Sequence, residues 1–200
     1  MEGEEATDEE DVVRILILGQ KDAMIFSLYQ LVQLRRCRTM EVLVLTPDNN
    51  PTVPPSADVA SICRALGYQH RIAPRNGILL EAVQSLRPHL LVSILWPRRV
   101  PKSVLELCKD SINFHPSLLP KHRGSLTQFW AIFDADATAG TTCHRMVLEF
   151  DAGKILHKEE VELTEDETAL SLSHKIALTT EKYFRHMMDL YLVSKSLPDG

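Results

Sequence analysis

The sequence predicts an α/β fold, in which a mostly parallel central sheet carries helices on both faces. Three short aliphatic runs support this prediction: "VVRILIL" at 12–18, "EVLVLTP" at 41–47 and "HLLVSILW" at 89–96. Such near-continuous apolar runs are typical of strands that are buried on both faces. Helix-like segments separate them, and alternation of strands and helices along a chain indicates a parallel sheet.

The segments between these strands have local signals for helices and turns. Gly67 follows one helical stretch as a plausible terminating glycine, and Pro101 is well placed to open another helix. "SINFH" at 111–115 is a further strand. We expect helices over residues 22–36, 57–66, 76–86 and about 102–108, with a loop at 49–56.

The second half of the chain changes character after a short predicted helix at 126–133. Two strand candidates follow, at 141–150 and 154–163, and "DAG" at 151–153 separates them, so we expect antiparallel neighbours. An amphipathic helix over about 167–192 closes the chain.

Length and charge are those of one globular domain with an acidic tail. The chain has 200 residues, and residues 1–11 hold seven of its 27 acidic residues and no base. We expect that tail to be disordered and residues 12–200 to form a single domain. The domain is not basic enough to favour nucleic-acid binding, and no apolar run reaches the roughly 18 residues of a membrane helix. Four scattered cysteines are predicted to be free thiols, and a cytoplasmic protein without a metal site is expected.

The stretch "SINFHPSLLPKHRG" at 111–124 carries the chemistry. Ligands of open α/β sheets bind beyond the carboxyl ends of the strands, where Asn113 and His115 are expected. Their spacing of two places both side chains on one side of the strand. A carboxamide and an imidazole that project together can donate hydrogen bonds to an oxygen that gains negative charge.

An imidazole in such a site needs a partner that fixes its tautomer or its charge, and a carboxylate does both. Asp151 is the best candidate. Without an obvious serine or cysteine, the set suggests a substrate that supplies its own nucleophile. The alternative interpretations are a structural polar pair for Asn113 and His115, a turn residue for Asp151 and a hydrogen-bonded strand residue for His144.

Four linked blocks give the sequence a resemblance to a known family. "INFHPSLLPKHRG", "FWAI" at 129–132, "GTTCHRM" at 140–146 and "DAGKI" at 151–155 occur in that order. Together they resemble the folate-dependent formyltransferases, which act on glycinamide ribonucleotide, methionyl-tRNA or sugar amines. The resemblance is densest over 111–156.

The resemblance implies a Rossmann-like, three-layer formyltransferase fold and a defined chemistry. The co-substrate would be 10-formyltetrahydrofolate, the acceptor a small-molecule amine, and no metal would take part. By this resemblance Asn113 and protonated His115 hold the oxyanion formed when the amine attacks, and Asp151 orients His115. Oligomeric state is not indicated.

The resemblance also implies a cofactor pocket built from loop main chain and one side wall. Arg98, Arg99 or Lys102 would meet the carboxylates of the folate. The implied cofactor-binding residues are Trp96, Pro97, Arg98 and Arg99 before the motif, Ser117, Leu118, Leu119 and Pro120 within it, and Val147, Leu148, Glu149 and Phe150 before Asp151.

Several departures from the family pattern concern the acceptor. The stretch "GQKDAMIF" after the first strand lacks the Gly/Ser-rich phosphate loop of glycinamide ribonucleotide enzymes, which disfavours that substrate. A nucleotide-linked amino sugar is the first choice. Thr127 and Ala135 stand where the family commonly has proline and glycine, which puts activity in question. The alternatives are a 10-formyltetrahydrofolate hydrolase and a non-catalytic folate-binding or interaction module.

Overall fold

The structure is a computed structural model that describes residues 12–36, 39–47 and 59–199. The expectations for the acidic tail at 1–11 and the loop at 49–56 concern residues outside these ranges.

A seven-stranded sheet forms the centre of the described chain, in the order β3-β2-β1-β4-β5-β6-β7. The first five strands are parallel, whereas β6 runs antiparallel to β5 and β7 antiparallel to β6. This confirms the predicted mostly parallel sheet. The strands are β1 (Val13–Gly19), β2 (Met40–Thr46), β3 (Gln69–Ile72), β4 (Leu90–Ile94), β5 (Asp110–His115), β6 (Thr138–Arg145) and β7 (Ile155–Glu162).

Helices cover both faces of the sheet, as predicted. The helices are α1 (Lys21–Leu34), α2 (Val59–Leu66), α3 (Asn76–Leu86), α4 (Lys102–Leu105), α5 (Thr127–Phe133) and α6 (Ala169–Ser194). Residues of α1 and α6 share one core cluster, and residues of α3 and α4 share a second one. None of the described helices combines the length and apolarity that a membrane-spanning segment needs.

The alternation of β1 explains why its sequence is aliphatic throughout. Ile15 and Ile17 belong to the core cluster of α1 and α6, and Leu16 and Leu18 belong to the cluster of α3 and α4. All four side chains are fully buried. A strand with helices on both faces has no solvent-facing positions, so its sequence loses the polar alternation of a half-exposed strand.

The structure departs from the predicted elements at three places. Strand β3 was missed because "QHRI" is polar, which an edge strand that pairs only with β2 tolerates. Helix α4 ends at Leu105, earlier than expected. Strand β6 ends at Arg145, so the connection to β7 is the longer segment 146–154 and not the short "DAG" turn.

Candidate active site

Strand β5 presents Asn113 and His115 on one side of the sheet and Phe114 on the other. Phe114 packs in the core beside α6. Strand β6 pairs His144 directly with Asn113. The Asn113 amide nitrogen therefore lies 3.1 Å from His144 Nε2.

The connection between β6 and β7 returns Asp151 to the end of β5. Asp151 has a left-handed backbone, with φ of 50°. At Gly153 the chain passes so close to β6 that a Cβ there would lie 1.8 Å from the Arg145 carbonyl oxygen. Only glycine permits this approach. It brings Asp151 Oδ1 to 3.4 Å from His115 Nδ1.

Both carboxylate oxygens of Asp151 have partners in a cluster that also contains Asn113, His115, His144 and the Gly124 amide. Oδ1 lies 3.5 Å from Asn113 Nδ2 and 3.5 Å from His144 Nε2, which are long contacts. Oδ2 accepts a shorter hydrogen bond of 2.9 Å from the Gly124 amide. The structure thus brings together Asn113, His115 and Asp151, and their catalytic roles stay predictions.

The carboxyl group of Asp151 is surrounded by donors. Burial disfavours its charged form, but the contacts with His144, with His115 and with the Gly124 amide together outweigh burial and lower the pKa of Asp151. Asp151 is therefore a carboxylate at neutral pH, in the state that can stabilise a protonated imidazole.

His115 is only 4% exposed. Burial lowers its pKa, although Asp151 and the His122 carbonyl act in the opposite direction. This environment favours the neutral ring at neutral pH, where the resemblance implied a protonated one. The His122 carbonyl oxygen lies 3.0 Å from His115 Nε2. The carbonyl and the Asp151 carboxylate both only accept, and the 3.4 Å contact with Asp151 is longer than an ordinary N–H···O hydrogen bond. The single hydrogen of the neutral ring is therefore placed on Nε2, and Nδ1 faces Asp151.

Two contacts of the cluster were not predicted from the sequence, those of His144 and that of the Gly124 amide. The His144 ring donates from Nδ1 to the Arg145 carbonyl at 2.8 Å, as a satisfied strand residue would. Its other nitrogen nevertheless contacts Asn113 and Asp151. The antiparallel pairing of β5 with β6, which sets His144 opposite Asn113, is the feature that could have identified His144 as a member of the cluster. The Gly124 contact had no such feature, because it depends on the path of a loop.

A groove of about 440 Å³ is lined by α4, the first residues of β5 and the segment that follows β6. Ser111 lines it and lies on the same side of β5 as Asn113. The predicted cofactor residues Val147, Leu148 and Glu149 also line it. Its volume is within the range of small-molecule sites, about 300–1,000 Å³.

The other predicted cofactor loop, residues 96–99, makes contacts of its own. Arg98 stacks on Trp96 and donates hydrogen bonds to the carbonyls of Ala73 and Pro74. Its guanidinium is directed at the β3–α3 loop.

A cation–π contact joins this loop to the segment before Asp151. The Arg99 guanidinium carbon lies 4.7 Å from the centre of the Phe150 ring. Lys102 of α4 pairs with Glu106, the residue that follows this helix, at 3.3 Å. Each of the three basic side chains predicted to meet the folate therefore has a partner within the protein.

The predicted cofactor wall at residues 117–120 is held by hydrogen bonds, and two of its residues line a cavity other than the groove. Ser117 donates to the Lys121 carbonyl, and Thr142 Oγ1 bonds both the Ser117 carbonyl and the Leu119 amide. Ser117 and Leu118 line a small enclosed cavity next to α5 and α6 rather than the groove.

Metal-ligating side chains do not cluster in the part of the chain that the structure describes: no group of three or more His, Cys, Asp or Glu residues is placed to hold an ion. Cys63, Cys108 and Cys143 form no disulfide bond. The fourth cysteine lies outside the described residues.

The sequence model of the formyl transferase family ("Formyl transferase") matches residues 13–187. The chain belongs to this family. It is 27% identical over 191 residues to methionyl-tRNA formyltransferase of Geotalea daltonii, covering 92% of this chain and 60% of that protein. It is 38% identical over 89 residues to GDP-perosamine N-formyltransferase of Brucella melitensis, covering 44% of this chain and 34% of that protein. The chain thus spans about 60% or less of these relatives.

Solved structures share the fold of this formyl transferase family member. Glycinamide ribonucleotide transformylase 1 of Symbiobacterium toebii superposes with a TM-score of 0.80 at 20% identity, covering 100% of this chain and 97% of that one. A sugar N-formyltransferase from a Shewanella species gives a TM-score of 0.71 at 20% identity, covering 94% and 73%. These likenesses confirm the Rossmann-like formyltransferase fold.

Proposed function

We propose that this chain transfers a formyl group from 10-formyltetrahydrofolate to a small-molecule amine. The convergence of Asn113, His115 and Asp151 at the end of β5 carries the proposal. Family membership supplies the reaction class. A carboxamide donor, a neutral imidazole and a carboxylate suit a reaction in which the acceptor amine is the nucleophile.

In this proposal Asn113 stabilises the oxygen that gains charge. Its amide nitrogen carries two hydrogens, one bonded to His144 and one in the 3.5 Å contact with Asp151. Hydrogen bonds weaken beyond about 3.2 Å, so the second hydrogen is the one that a substrate oxygen recruits.

His115 and Asp151 move the proton in this proposal. Neutral His115 accepts a proton at Nδ1 from the attacking nitrogen, and Asp151 stabilises the imidazolium at 3.4 Å. His115 then returns the proton to N10 of the folate as the bond between N10 and the formyl carbon breaks. The proton count balances, and the products are a formamide and tetrahydrofolate.

The groove supports the proposed folate site. Within the described residues the backbone groups of Val147 and Leu148 make no hydrogen bond to the protein, so they are available to the edge of a pterin. Ser111, which lines the groove, lies two residues before Asn113 on the same side of β5. In this proposal Val147–Phe150 bind the cofactor, as the family resemblance implies. Trp96 and Arg99 would border it, whereas Ser117 and Leu118 would act by shaping the loop after β5.

A nucleotide-linked amino sugar is the proposed acceptor. It is supported by the match to GDP-perosamine N-formyltransferase, the higher-identity match of the two relatives described. The segment after β1, Gly19-Gln20-Lys21, is not a glycine-rich phosphate loop. The Gln20 side-chain amide instead donates a hydrogen bond to the Leu95 carbonyl. Methionyl-tRNA is the alternative acceptor that the longer match favours.

The test incubates the purified chain with 10-formyltetrahydrofolate and, separately, a nucleotide-linked amino sugar, glycinamide ribonucleotide, methionyl-tRNA or buffer alone. Tetrahydrofolate is followed by absorbance and the formylated product by mass. Formyl-sugar formation would support the proposal. Formate release in buffer alone would indicate a hydrolase. Binding of tetrahydrofolate without any turnover would indicate a non-catalytic module, and absence of both would contradict a folate function.

A further inference from the structure

The tautomer of His115 depends on one backbone carbonyl. The His122 carbonyl oxygen accepts from His115 Nε2 at 3.0 Å. This contact keeps the hydrogen on Nε2 and leaves Nδ1 facing Asp151. If the carbonyl moved away, the Asp151 carboxylate would favour the hydrogen on Nδ1, and Nδ1 could then no longer accept a proton.

The position of the carbonyl depends on a disfavoured backbone conformation of His122. His122 has φ of 52°, in the left-handed region that a residue with a Cβ rarely adopts. The backbone angles of a residue direct its own carbonyl, so this conformation aims the oxygen at His115. Such a conformation persists only when the surroundings hold it.

The Asp136 carboxylate holds His122 in this conformation. Its Oδ2 lies 2.7 Å from His122 Nε2, and its Oδ1 accepts from Lys121 Nζ at 2.7 Å. The Asp136 side chain is 11% exposed. The hydrogen bonds from Lys121 and then His122 lower the pKa of Asp136, so a carboxylate accepts both.

The backbone of Asp136 is fixed by hydrogen bonds at the end of α5. The amide of Ala135 bonds the Ile132 carbonyl, and the amide of Asp136 bonds the Ala131 carbonyl. This pair of hydrogen bonds is a Schellman motif that ends α5. Ala131 packs in a core cluster with Leu172 and Ile176 of α6, so the motif fixes the Asp136 backbone to the body of the domain.

The loop has other anchors, but they lie on either side of His122. Ser117 donates to the Lys121 carbonyl upstream, and the Gly124 amide bonds Asp151 downstream. Between them the short side-chain contact of His122 is to Asp136, while Asp134 lies 3.9 Å away.

We propose that Asp136 is a positioning residue for formyl transfer: by clamping His122 and Lys121 it places the loop carbonyl that keeps His115 protonated on Nε2. The structural link from Asp136 to His115 stands alone, and its consequence for turnover rests on the proposed function. Asp136 touches no substrate in this scheme and acts through His122.

Nuclear magnetic resonance of the histidine rings reads the structural link directly. The full chain is labelled with ¹⁵N-histidine, and the His115 signals are identified by their absence in His115→Gln. We expect protonated Nε2 in the unsubstituted chain at about pH 7.5. In Asp136→Asn, where one oxygen is replaced by a donor, we expect a mixture of tautomers.

A matched control is available on β7. Glu159 also accepts from a histidine and a lysine, His157 and Lys182, both at 3.1 Å, but it contacts none of the cluster residues described above. Glu159→Gln should leave the His115 signals unchanged. Lys121→Met removes the second partner of Asp136 and leaves the His122 contact, so its effect should be smaller than that of Asp136→Asn.

Kinetics test the consequence for turnover. We expect Asp136→Asn to lower kcat by about 10- to 100-fold, the cost of misplacing a reacting group, while tetrahydrofolate binding stays within about twofold. Asp136→Glu restores the carboxylate and should recover part of kcat and of the Nε2 tautomer.

An unchanged His115 tautomer in folded Asp136→Asn would overturn the structural link. A changed tautomer with unchanged kcat would overturn the role in turnover. If the unsubstituted chain neither binds tetrahydrofolate nor turns over 10-formyltetrahydrofolate, the proposed function fails, and the tautomer comparison still decides whether Asp136 positions His115.

Discussion

Asp151 Oδ1 lies 3.4 Å from His115 Nδ1, although His115 ends β5 and Asp151 belongs to the connection after β6. The antiparallel pairing of β5 with β6 carries the chain away from His115, and the connection brings it back. The contact therefore depends on both the register of two strands and the shape of one loop.

Replacing Asn113 tests the oxyanion role. We expect Asn113→Ala to lower kcat by about 100- to 1,000-fold, the usual cost of removing one oxyanion donor. The midpoint of thermal unfolding should change little, because Asn113 is partly exposed and its amide contacts only the side chains of His144 and Asp151. Gln84→Ala, which removes an exposed carboxamide from α3, is the control. Turnover equal to that of the control would contradict the assignment.

The pH dependence of stability reports on His115. Its pKa in the folded state is below the ordinary 6.5. Between that lowered value and 6.5 the unfolded chain binds more protons, so the free energy of unfolding falls as the pH is lowered through this window. We expect His115→Gln to reduce the fall, measured by urea unfolding between about pH 7 and about pH 5.

His89 provides an independent contribution of the same sign. Burial and then the nearby Arg14 lower its pKa, at the opposite end of the sheet. His89→Gln should also reduce the fall, and the double variant should reduce it further. Asp151 does not interfere, because its lowered pKa acts below about pH 3.8. Equal slopes in all variants would refute the prediction.

The close approach at Gly153 should make it intolerant of a side chain. Gly153→Ala places a Cβ 1.8 Å from the Arg145 carbonyl, so the backbone must move. We expect lower stability in urea and loss of turnover, since Asp151 shifts with the connection.

Gly77→Ala is the matched control for that substitution. Gly77 lies in α3 with open space around it. We expect it to gain roughly 0.5–1 kcal/mol of helix stability and to keep turnover. A Gly153→Ala protein as stable and active as Gly77→Ala would contradict the close approach.

Ala135 occupies a position that glycine suits better. It follows α5 with φ of 50°, where a Cβ costs about 1 kcal/mol. We expect Ala135→Gly to raise the free energy of unfolding by about 0.5–1 kcal/mol and to keep turnover, because the Schellman hydrogen bonds remain.

Ala137→Gly tests whether the gain is specific to that backbone conformation. Ala137 is exposed nearby and is not among the residues with positive φ. There glycine should lower stability, because it only adds freedom to the unfolded chain. A gain at both positions, or at neither, would refute the explanation.

Thr127 and Ala135, which depart from the family pattern, differ in how well the sequence alone explains them. Thr127, where proline is common, donates its hydroxyl to the Pro116 carbonyl at 2.7 Å and so ties α5 to the loop after β5. That compensation could not be foreseen, because it joins residues that only the loop brings together. Ala135, by contrast, was recognised as a glycine position, and its positive φ explains why.

The sequence by itself determined the alternation of strands and helices, since strands buried between two helical layers have continuous aliphatic runs. It also determined that Asn113 and His115 share one side of a strand, which follows from the two-residue repeat. Only the tertiary structure decided which groups complete the cluster. Asp151, His144, the Gly124 amide and the His122 carbonyl reach it through strand pairing and loop paths, and those depend on packing between distant parts of the chain, which local sequence patterns do not encode.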